Sequence, residues 1–251
     1  MNRLLPHALR PAELAAARYL KWSRHVVQTG PFQGLRYVDR ACGSALVPKI
    51  AGTYEKELHP IFPLLLADNP DVFVDVGAAE GYYAVGAAVA GWCERIVAFE
   101  IDPEARAVLA ELMALNHVPP SRIDLRAGCT APELEALMAC YRRPAMIMDV
   151  EGYEALLLDP LRVPHLSSAR ILLEYHDFVL GGLRDEIVRR MSGTHAIKEI
   201  EQEPRRAGDL VCSDPLIRLL PDGIRRRMLS EQRPFSNHGW LWMTPLSNPP
   251  A

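Results

Sequence analysis

Acidic side chains and a histidine stand two residues apart at the ends of two apolar runs. Asp149 and Glu151 belong to MIMDVEG, and Glu174 and His176 belong to LLEYHD. Residues i and i+2 of a strand point to the same face of the sheet. If these runs are neighbouring strands, about 4.8 Å apart, three carboxylates and one imidazole converge at one edge of the sheet.

This acidic cluster has three interpretations. In the first, His176 is a general base that removes the proton of a hydroxyl, because the pKa of imidazole lies near neutral pH. In the second, Asp149, Glu174 and His176 bind a divalent cation, Mg²⁺ or Mn²⁺, that acidifies the hydroxyl. In the third, Glu151 caps the helix that follows and His176 is a hydrogen-bonded structural histidine.

A glycine-rich turn follows an earlier apolar run in VFVDVGAAEG. Gly77 permits a tight turn, and Gly81 permits close packing where the next helix begins. Asp75 ends the run, and Glu100 lies 25 residues further on, where a carboxylate can bind the two hydroxyls of a ribose. The turn therefore predicts a site for an adenosyl ligand.

The same turn disfavours a nicotinamide dinucleotide. A pyrophosphate is bound by Gly-x-Gly-x-x-Gly at a helix N-terminus, and here Ala79 replaces the middle glycine and Glu80 adds a negative charge. A ligand with a cationic sulfonium and an amino acid tail suits this acidic loop better. An NAD-dependent oxidoreductase remains the alternative enzyme class.

The elements that position these residues alternate along the chain. From residue 70 onward, short apolar runs are followed by helical patterns over five repeats, which predicts a doubly wound α/β domain with a mostly parallel sheet. Such sheets bind ligands at the carboxyl ends of their strands. We expect a helical and irregular cap over residues 1–69, acting as a lid or a dimer contact, and the sheet domain over residues 70–251.

Composition excludes several classes of protein. The chain has 251 residues, 49% hydrophobic and 24% charged, with a net charge of −3, and these values are typical of a globular protein with no general affinity for nucleic acid. No apolar run approaches the roughly 20 residues that cross a bilayer. The five scattered cysteines include no Cys-x-x-Cys pair, which favours a reducing, cytoplasmic location.

The segments DVGAAEG, FEIDPEA, MDVEGYEALLL and LLEYHD resemble the FkbM-type methyltransferases over about residues 50–180. DVEGYE is the most specific of these motifs. The chain departs from the family pattern at Ala79, where asparagine is usual, and at Met146 and Met148, where a lysine usually precedes the aspartate. The resemblance implies a seven-stranded Rossmann-like fold and S-adenosylmethionine (SAM) as the methyl donor.

Carried over to this sequence, the family's site would divide into two parts. The glycine turn would hold the methionine end of SAM, Glu100 its ribose and the turn at Ala127 and Gly128 its adenine, while Asp149 and Glu151 would line the methyl-transfer side. The cofactor-binding residues implied are Asp75, Gly77, Ala78, Glu80, Gly81, Tyr82, Glu100, Ile101, Ala127, Gly128 and Asp149.

The resemblance also implies an activity. We expect O-methylation of a small metabolite, natural product or sugar, with no nucleic acid or membrane partner and with a homodimer as a possible assembly. N- or C-methylation of a small molecule, or a catalytically silent SAM-binding module, are the alternatives.

Overall fold

The computed structural model of the chain describes residues 11–231 and 238–247. Within these ranges the chain forms two compact units. The sheet unit consists of residues 57–202 and 238–247, and the second unit consists of residues 11–56 and 203–231. The division thus differs from the expected one at residue 69, because the sheet unit begins at Glu57 and residues 203–231 pack with the N-terminal segment. A lid role for that segment stays a prediction.

Seven strands form a single sheet in the order β3-β2-β1-β4-β5-β7-β6. The strands are β1 (Val72–Val76), β2 (Ile96–Phe99), β3 (Ile123–Arg126), β4 (Pro144–Met148), β5 (Arg170–His176), β6 (His195–Ile200) and β7 (His238–Pro245). The pairings among β1 to β5 are parallel, and β7 runs antiparallel to both β5 and β6. The predicted mostly parallel, doubly wound sheet is confirmed.

The central strands are buried on both faces. Every residue of β1, β2 and β4 is buried, which explains why these strands read as continuous apolar runs rather than alternating ones. Asp75 is the one charged residue of β1, and its carboxylate is also buried, with only 2% of the residue exposed. A buried carboxylate costs free energy unless it is bound by a partner, so its position directly before the glycine turn indicates a ligand-binding or structural role.

Ten α-helices occur in the described part of the chain. They are α1 (Pro11–Ser23), α2 (Leu46–Ala51), α3 (Phe62–Leu65), α4 (Tyr82–Ala90), α5 (Pro103–Leu115), α6 (Ala131–Met138), α7 (Glu154–Leu157), α8 (Leu183–Met191), α9 (Pro215–Arg218) and α10 (Asp222–Met228). None of the helices in this part of the chain is both long enough and apolar enough to cross a membrane.

Side-chain caps fix where two of the connecting helices begin. Asp102 accepts a hydrogen bond from the backbone N–H of Glu104 at the start of α5. Thr130 and Glu133 form a reciprocal capping box at the start of α6. These caps end the loops after β2 and β3, and so they determine the length of two loops at the carboxyl edge of the sheet.

The segment GTYEKELHPIFPLLL, which reads as one helix, forms two short pieces instead. A 3₁₀ turn covers Lys56–Leu58, and α3 covers only Phe62–Leu65. The physical reason is the pair of prolines, Pro60 and Pro63, because a proline inside a helix removes a hydrogen bond and clashes with the preceding turn.

The second unit is held together by long-range polar contacts. In α1, Arg18 forms an ion pair with Asp214, and the hydroxyl of the buried Tyr19 donates to the carbonyl of Val211. Arg205 and Glu231 form an ion pair of 2.7 Å with both side chains less than a tenth exposed. The contacts of Arg18 and Tyr19 join residues 11–56 to residues 203–231 within this unit, and the Arg205–Glu231 pair lies inside residues 203–231.

Candidate active site

The loops after β1, β2, β4 and β5 lie at the carboxyl edge of the sheet. The strand order changes direction between β1 and β4, because β2 and β3 lie on one side of β1 while β4 and β5 lie on the other. A crevice for a ligand opens at such a point in α/β sheets. Most of the residues singled out from the sequence lie in or soon after these strands, and Ala127 and Gly128 follow β3 at the same edge.

The glycine turn after β1 requires glycine at two positions for different reasons. Gly77 has φ +88°, and a Cβ built on it would come within 1.8 Å of the carbonyl oxygen of Asp149. Gly81 has φ +92°, and a Cβ there would come within 2.7 Å of Leu109 in α5. The predicted close packing at Gly81 is confirmed. At Gly77, the absence of a side chain makes room for the backbone of the loop after β4.

Glu100 connects the end of β2 to this turn. Its carboxylate oxygens accept hydrogen bonds of 2.7 Å from the backbone N–H groups of Ala79 and Asp102. Ala79 has φ +47°, a left-handed conformation that is unusual for a residue with a side chain. Each carboxylate oxygen has two lone pairs, so one remains on each for a hydroxyl donor, and the ribose role of Glu100 stays a prediction.

An exposed isoleucine follows Glu100 beside the end of β3. Ile101 is 79% exposed, and a Cβ built on Gly128 would lie 3.7 Å from its Cδ1 atom. Ala127 is exposed and Gly128 is half-buried. Ile101 therefore lies beside the predicted adenine-binding residues Ala127 and Gly128 and presents apolar surface, which suits the face of an aromatic base.

The remaining residues predicted for the methionine end are buried. Ala78, Glu80 and Tyr82 lie in the turn and the start of α4, with exposed fractions of 5%, 0% and 3%. Glu80 is thus a fully buried acid in the loop, which is consistent with an acidic environment for a cationic ligand. The assignment of these side chains to SAM stays a prediction.

Asp149, Glu174 and His176 converge at the ends of β4 and β5. The Nε2 atom of His176 lies 3.5 Å from Oδ1 of Asp149 and 3.9 Å from Oε2 of Glu174. His176 and Glu174 are buried, and the Asp149 side chain is 35% exposed. The predicted convergence of these three residues is therefore observed, and we call them the acidic triad.

Glu151 does not join the triad, and the expectation that it shares a strand face with Asp149 is wrong. Strand β4 ends at Met148, so the alternation of a strand no longer applies beyond it. Glu151 instead lies exposed in the turn with φ +47°, next to Gly152 with φ +103°.

Glu154, and not Glu151, is the second carboxylate of the loop after β4 that lies beside His176. Its side chain is fully buried, and Oε1 lies 2.8 Å from Nδ1 of His176. Sequence reasoning missed this residue because it begins the short helix α7 rather than a strand. The signal in the sequence is that Glu154, the last acid of the motif DVEGYE, stands directly before the apolar run ALLL, where a buried acid is conspicuous.

The surroundings of His176 have opposing effects on its pKa. Burial alone would lower the pKa, but the hydrogen bond with Glu154 and the negative charges of Asp149, Glu154 and Glu151 together raise it above the ordinary value for histidine. His176 is therefore a stronger base than a free imidazole, and its Nδ1 atom is fixed by Glu154.

Aromatic and aliphatic side chains border the triad. The ring of Phe178 packs edge-on against His176 at 5.5 Å and against His238 at 6.3 Å between ring centroids. Val179 packs on Gly152, where a Cβ would lie 2.7 Å from its Cγ1 atom. Both Phe178 and Val179 are about half exposed, so they offer apolar surface next to the acidic triad. Trp240, which faces Glu174 in register, is fully buried core.

The sheet order and the antiparallel β7 match the seven-stranded, mostly parallel Rossmann-like fold that the sequence resemblance implies. Among curated proteins, the chain is similar to the ribosomal protein L11 methyltransferase of Pelobacter propionicus, with 30% identity over 158 residues. The match covers 62% of this chain and 46% of that protein, so the chain spans about half the length of its curated relative. No family model matches the chain.

Solved structures with similar folds include two methyltransferase-related proteins. A putative O-methyltransferase from Klebsiella pneumoniae has 17% identity and a TM-score of 0.44, with 77% of this chain and 86% of that chain covered. An rRNA methylase from Streptococcus thermophilus has 12% identity and a TM-score of 0.48, with 76% of this chain and 97% of that chain covered.

Proposed function

We propose that the chain is a SAM-dependent methyltransferase that acts on a hydroxyl group of a small molecule. One observation carries the proposal: a glycine turn braced by Glu100 and the acidic triad lie on opposite sides of the point where the strand order reverses. The first would hold the methyl donor and the second the acceptor. The similarity to a methyltransferase sequence supports the methyl-transfer part of this proposal.

The residues after β1, β2 and β3 fit the three parts of SAM. Buried acids, Asp75 and Glu80, suit a ligand with a positive charge, and an acidic loop would repel a pyrophosphate. Glu100 has lone pairs available for ribose hydroxyls, and the exposed Ile101 would cover adenine. When bound, SAM supplies an electrophilic methyl group on a sulfonium.

The acceptor half would orient the hydroxyl and promote the loss of its proton. In O-methylation a C–O bond forms as the C–S bond breaks, and the hydroxyl loses a proton. The Nε2 atom of His176 lies next to two carboxylates, while Glu154 fixes Nδ1. Holding the acceptor oxygen in line with the methyl group supplies much of the rate enhancement in such a displacement.

Two finer assignments belong to the same proposal. The motif DVEGYE and the strand end LLEYHD support an FkbM-type enzyme, and the apolar side chains of Phe178 and Val179 support an acceptor that carries an apolar portion beside its hydroxyl. N- and C-methylation are the alternatives that the assay must distinguish.

The test combines binding and turnover. Isothermal titration calorimetry of the whole chain with S-adenosylhomocysteine and with NAD should show binding of the first and none of the second. Purified protein should then transfer label from methyl-labelled SAM to the hydroxyl compounds of a panel of sugars, phenols, hydroxy acids and amines, with one S-adenosylhomocysteine formed per methyl group transferred. Absence of binding to S-adenosylhomocysteine would refute the cofactor. Label transferred to amines alone would refute the hydroxyl acceptor.

A further inference from the structure

The acidic triad has the spacing of ligands around a metal ion. One donor atom from each of Asp149, Glu174 and His176 lies within 4.8 Å of the other two. Two adjacent donors that each lie about 2.1 Å from an octahedrally coordinated ion are about 3.0 Å apart, and the Nε2–Oδ1 distance is 3.5 Å. The donors therefore need to move little to share one ion.

A second observation, the hydrogen bond of His176, also points to a ligand. Glu154 binds Nδ1, so the proton of a neutral imidazole lies on Nδ1 and the lone pair lies on Nε2. In the described part of the chain, Nε2 makes no hydrogen bond, although the His176 side chain is only 7% exposed and faces Asp149 and Glu174. A carboxylate that orients a histidine through its far nitrogen is the usual arrangement around metal-bound histidines.

Two further carboxylate oxygens in this region have no hydrogen-bonding partner among the described residues. Oδ1 of Asp149 and Oε2 of Glu154 are both buried and make no hydrogen bond among the described residues. Carboxylates brought this close repel one another unless a proton or a cation intervenes. A divalent cation at the triad would neutralise this charge and give Oδ1 of Asp149 a partner.

We propose that Asp149, Glu174 and His176 bind one divalent cation, and that its open coordination positions take the acceptor oxygen. One imidazole and two carboxylates suit Mn²⁺ better than Mg²⁺, because Mg²⁺ prefers oxygen donors alone. The bound hydroxyl would lose its proton to solvent more readily and attack the methyl group as an alkoxide. The role in acceptor binding rests on the proposed function, whereas the metal site itself does not.

Binding of Mn²⁺ to the whole chain, without SAM or acceptor, tests the site directly. Electron paramagnetic resonance measures free Mn²⁺, and its signal should decrease by one equivalent per chain. His176→Ala and Glu174→Gln should each weaken Mn²⁺ binding by more than 10-fold. Glu154→Gln tests a positioning residue and should weaken it about 10-fold, in the range found for residues that orient metal ligands.

Glu151→Gln is the matched control, since it removes a nearby negative charge from an exposed side chain outside the triad. It should change the Mn²⁺ affinity by less than about 3-fold. Near-ultraviolet circular dichroism identifies variants that fail to fold. Asp149→Asn is used in place of any triad variant that does not fold.

The outcomes separate this inference from the proposed function. A folded wild-type chain that binds no Mn²⁺, or variants of the triad with unchanged affinity, would overturn the metal site even if S-adenosylhomocysteine binds normally. Binding of Mn²⁺ without binding of S-adenosylhomocysteine would support the metal site and refute the methyltransferase proposal.

Discussion

Gly77 packs against the carbonyl of Asp149 so closely that a Cβ on the glycine would lie 1.8 Å from that oxygen. The turn after β1 and the loop after β4 are therefore in backbone contact at the carboxyl edge of the sheet. This contact joins the half proposed to bind SAM to the half proposed to bind the acceptor.

Gly77→Ala should separate these two loops. The left-handed φ costs about 1–2 kcal/mol for a residue with a side chain, and the clash with backbone adds an overpacking cost of about 1–3 kcal/mol. We expect a loss of about 3 kcal/mol in the free energy of unfolding, measured by urea denaturation, and weaker binding of S-adenosylhomocysteine. Gly91→Ala is the control, because its φ is +71° but nothing lies within 4 Å of the added Cβ. Equal losses in the two variants would contradict the close approach.

Glu100→Ala should weaken binding of S-adenosylhomocysteine by about 1–3 kcal/mol, the usual contribution of a hydrogen bond to a charged group. Because Glu100 also binds two backbone N–H groups, calorimetry on the variant alone does not isolate the ribose. The 2′-deoxy analogue of the ligand completes a thermodynamic cycle. Removing the hydroxyl should weaken binding to the wild type more than binding to the variant. An equal loss in both proteins would rule out the contact, and Asp102→Asn, at the adjacent exposed cap, is the comparison for loop disruption.

Ile101→Ala should weaken binding of S-adenosylhomocysteine by about 1 kcal/mol, because covering part of an isoleucine removes a few tens of square ångströms of apolar surface from water. Thermal unfolding of the ligand-free protein should be unchanged, since the side chain is 79% exposed. Leu161→Ala, at a side chain that is 94% exposed on the β4–β5 connection, should alter neither quantity. An affinity equal to that of the wild type would remove Ile101 from the adenine site.

His195 should make the stability of the sheet unit depend on pH. Burial, offset partly by backbone hydrogen bonds with Ala169 and Leu166, lowers the pKa of His195. The unfolded chain therefore binds a proton near pH 6.5 that the folded chain does not, and stability is lost as the pH falls below that value. The slope contributed by one such group approaches about 1.4 kcal/mol per pH unit.

His195→Gln retains a donor for the carbonyl of Ala169, which His195 contacts through Nε2 at 3.0 Å. Urea denaturation between pH 5 and pH 8 should give a flatter dependence in the variant than in the wild type. The difference between the two curves isolates His195 from other titrating groups. Parallel curves would show that His195 does not couple folding to protonation.

The strand ends could be predicted from the sequence because a buried strand must be apolar throughout, so a lone acid at its end is conspicuous. Asp75, Asp149 and Glu174 were found in this way, and they lie at the expected edge. The rule fails once the strand ends. Glu151 lies two residues after Asp149 in the sequence, but the chain has left the strand there, and Glu151 is exposed in a left-handed turn.

Glu154 and the division into units could not be predicted by the same reasoning. Glu154 is buried because it binds a histidine 22 residues further along the chain, and no local pattern encodes that contact. Residues 203–231 join the N-terminal segment through pairs such as Arg18 and Asp214, which are 196 residues apart. Such contacts depend on the assembled fold rather than on periodicity.

Strand β7 reaches its place beside β5 after the chain has passed through residues 203–231, and it pairs His238 with His176. During translation, β5 would therefore remain an unpaired edge while some 60 further residues are added. Contacts so distant along the chain form slowly, and unpaired edges promote association between nascent chains. The side of β5 that carries Glu174 and His176 is thus completed late in synthesis, so truncation before residue 238 should yield aggregates rather than a smaller folded protein.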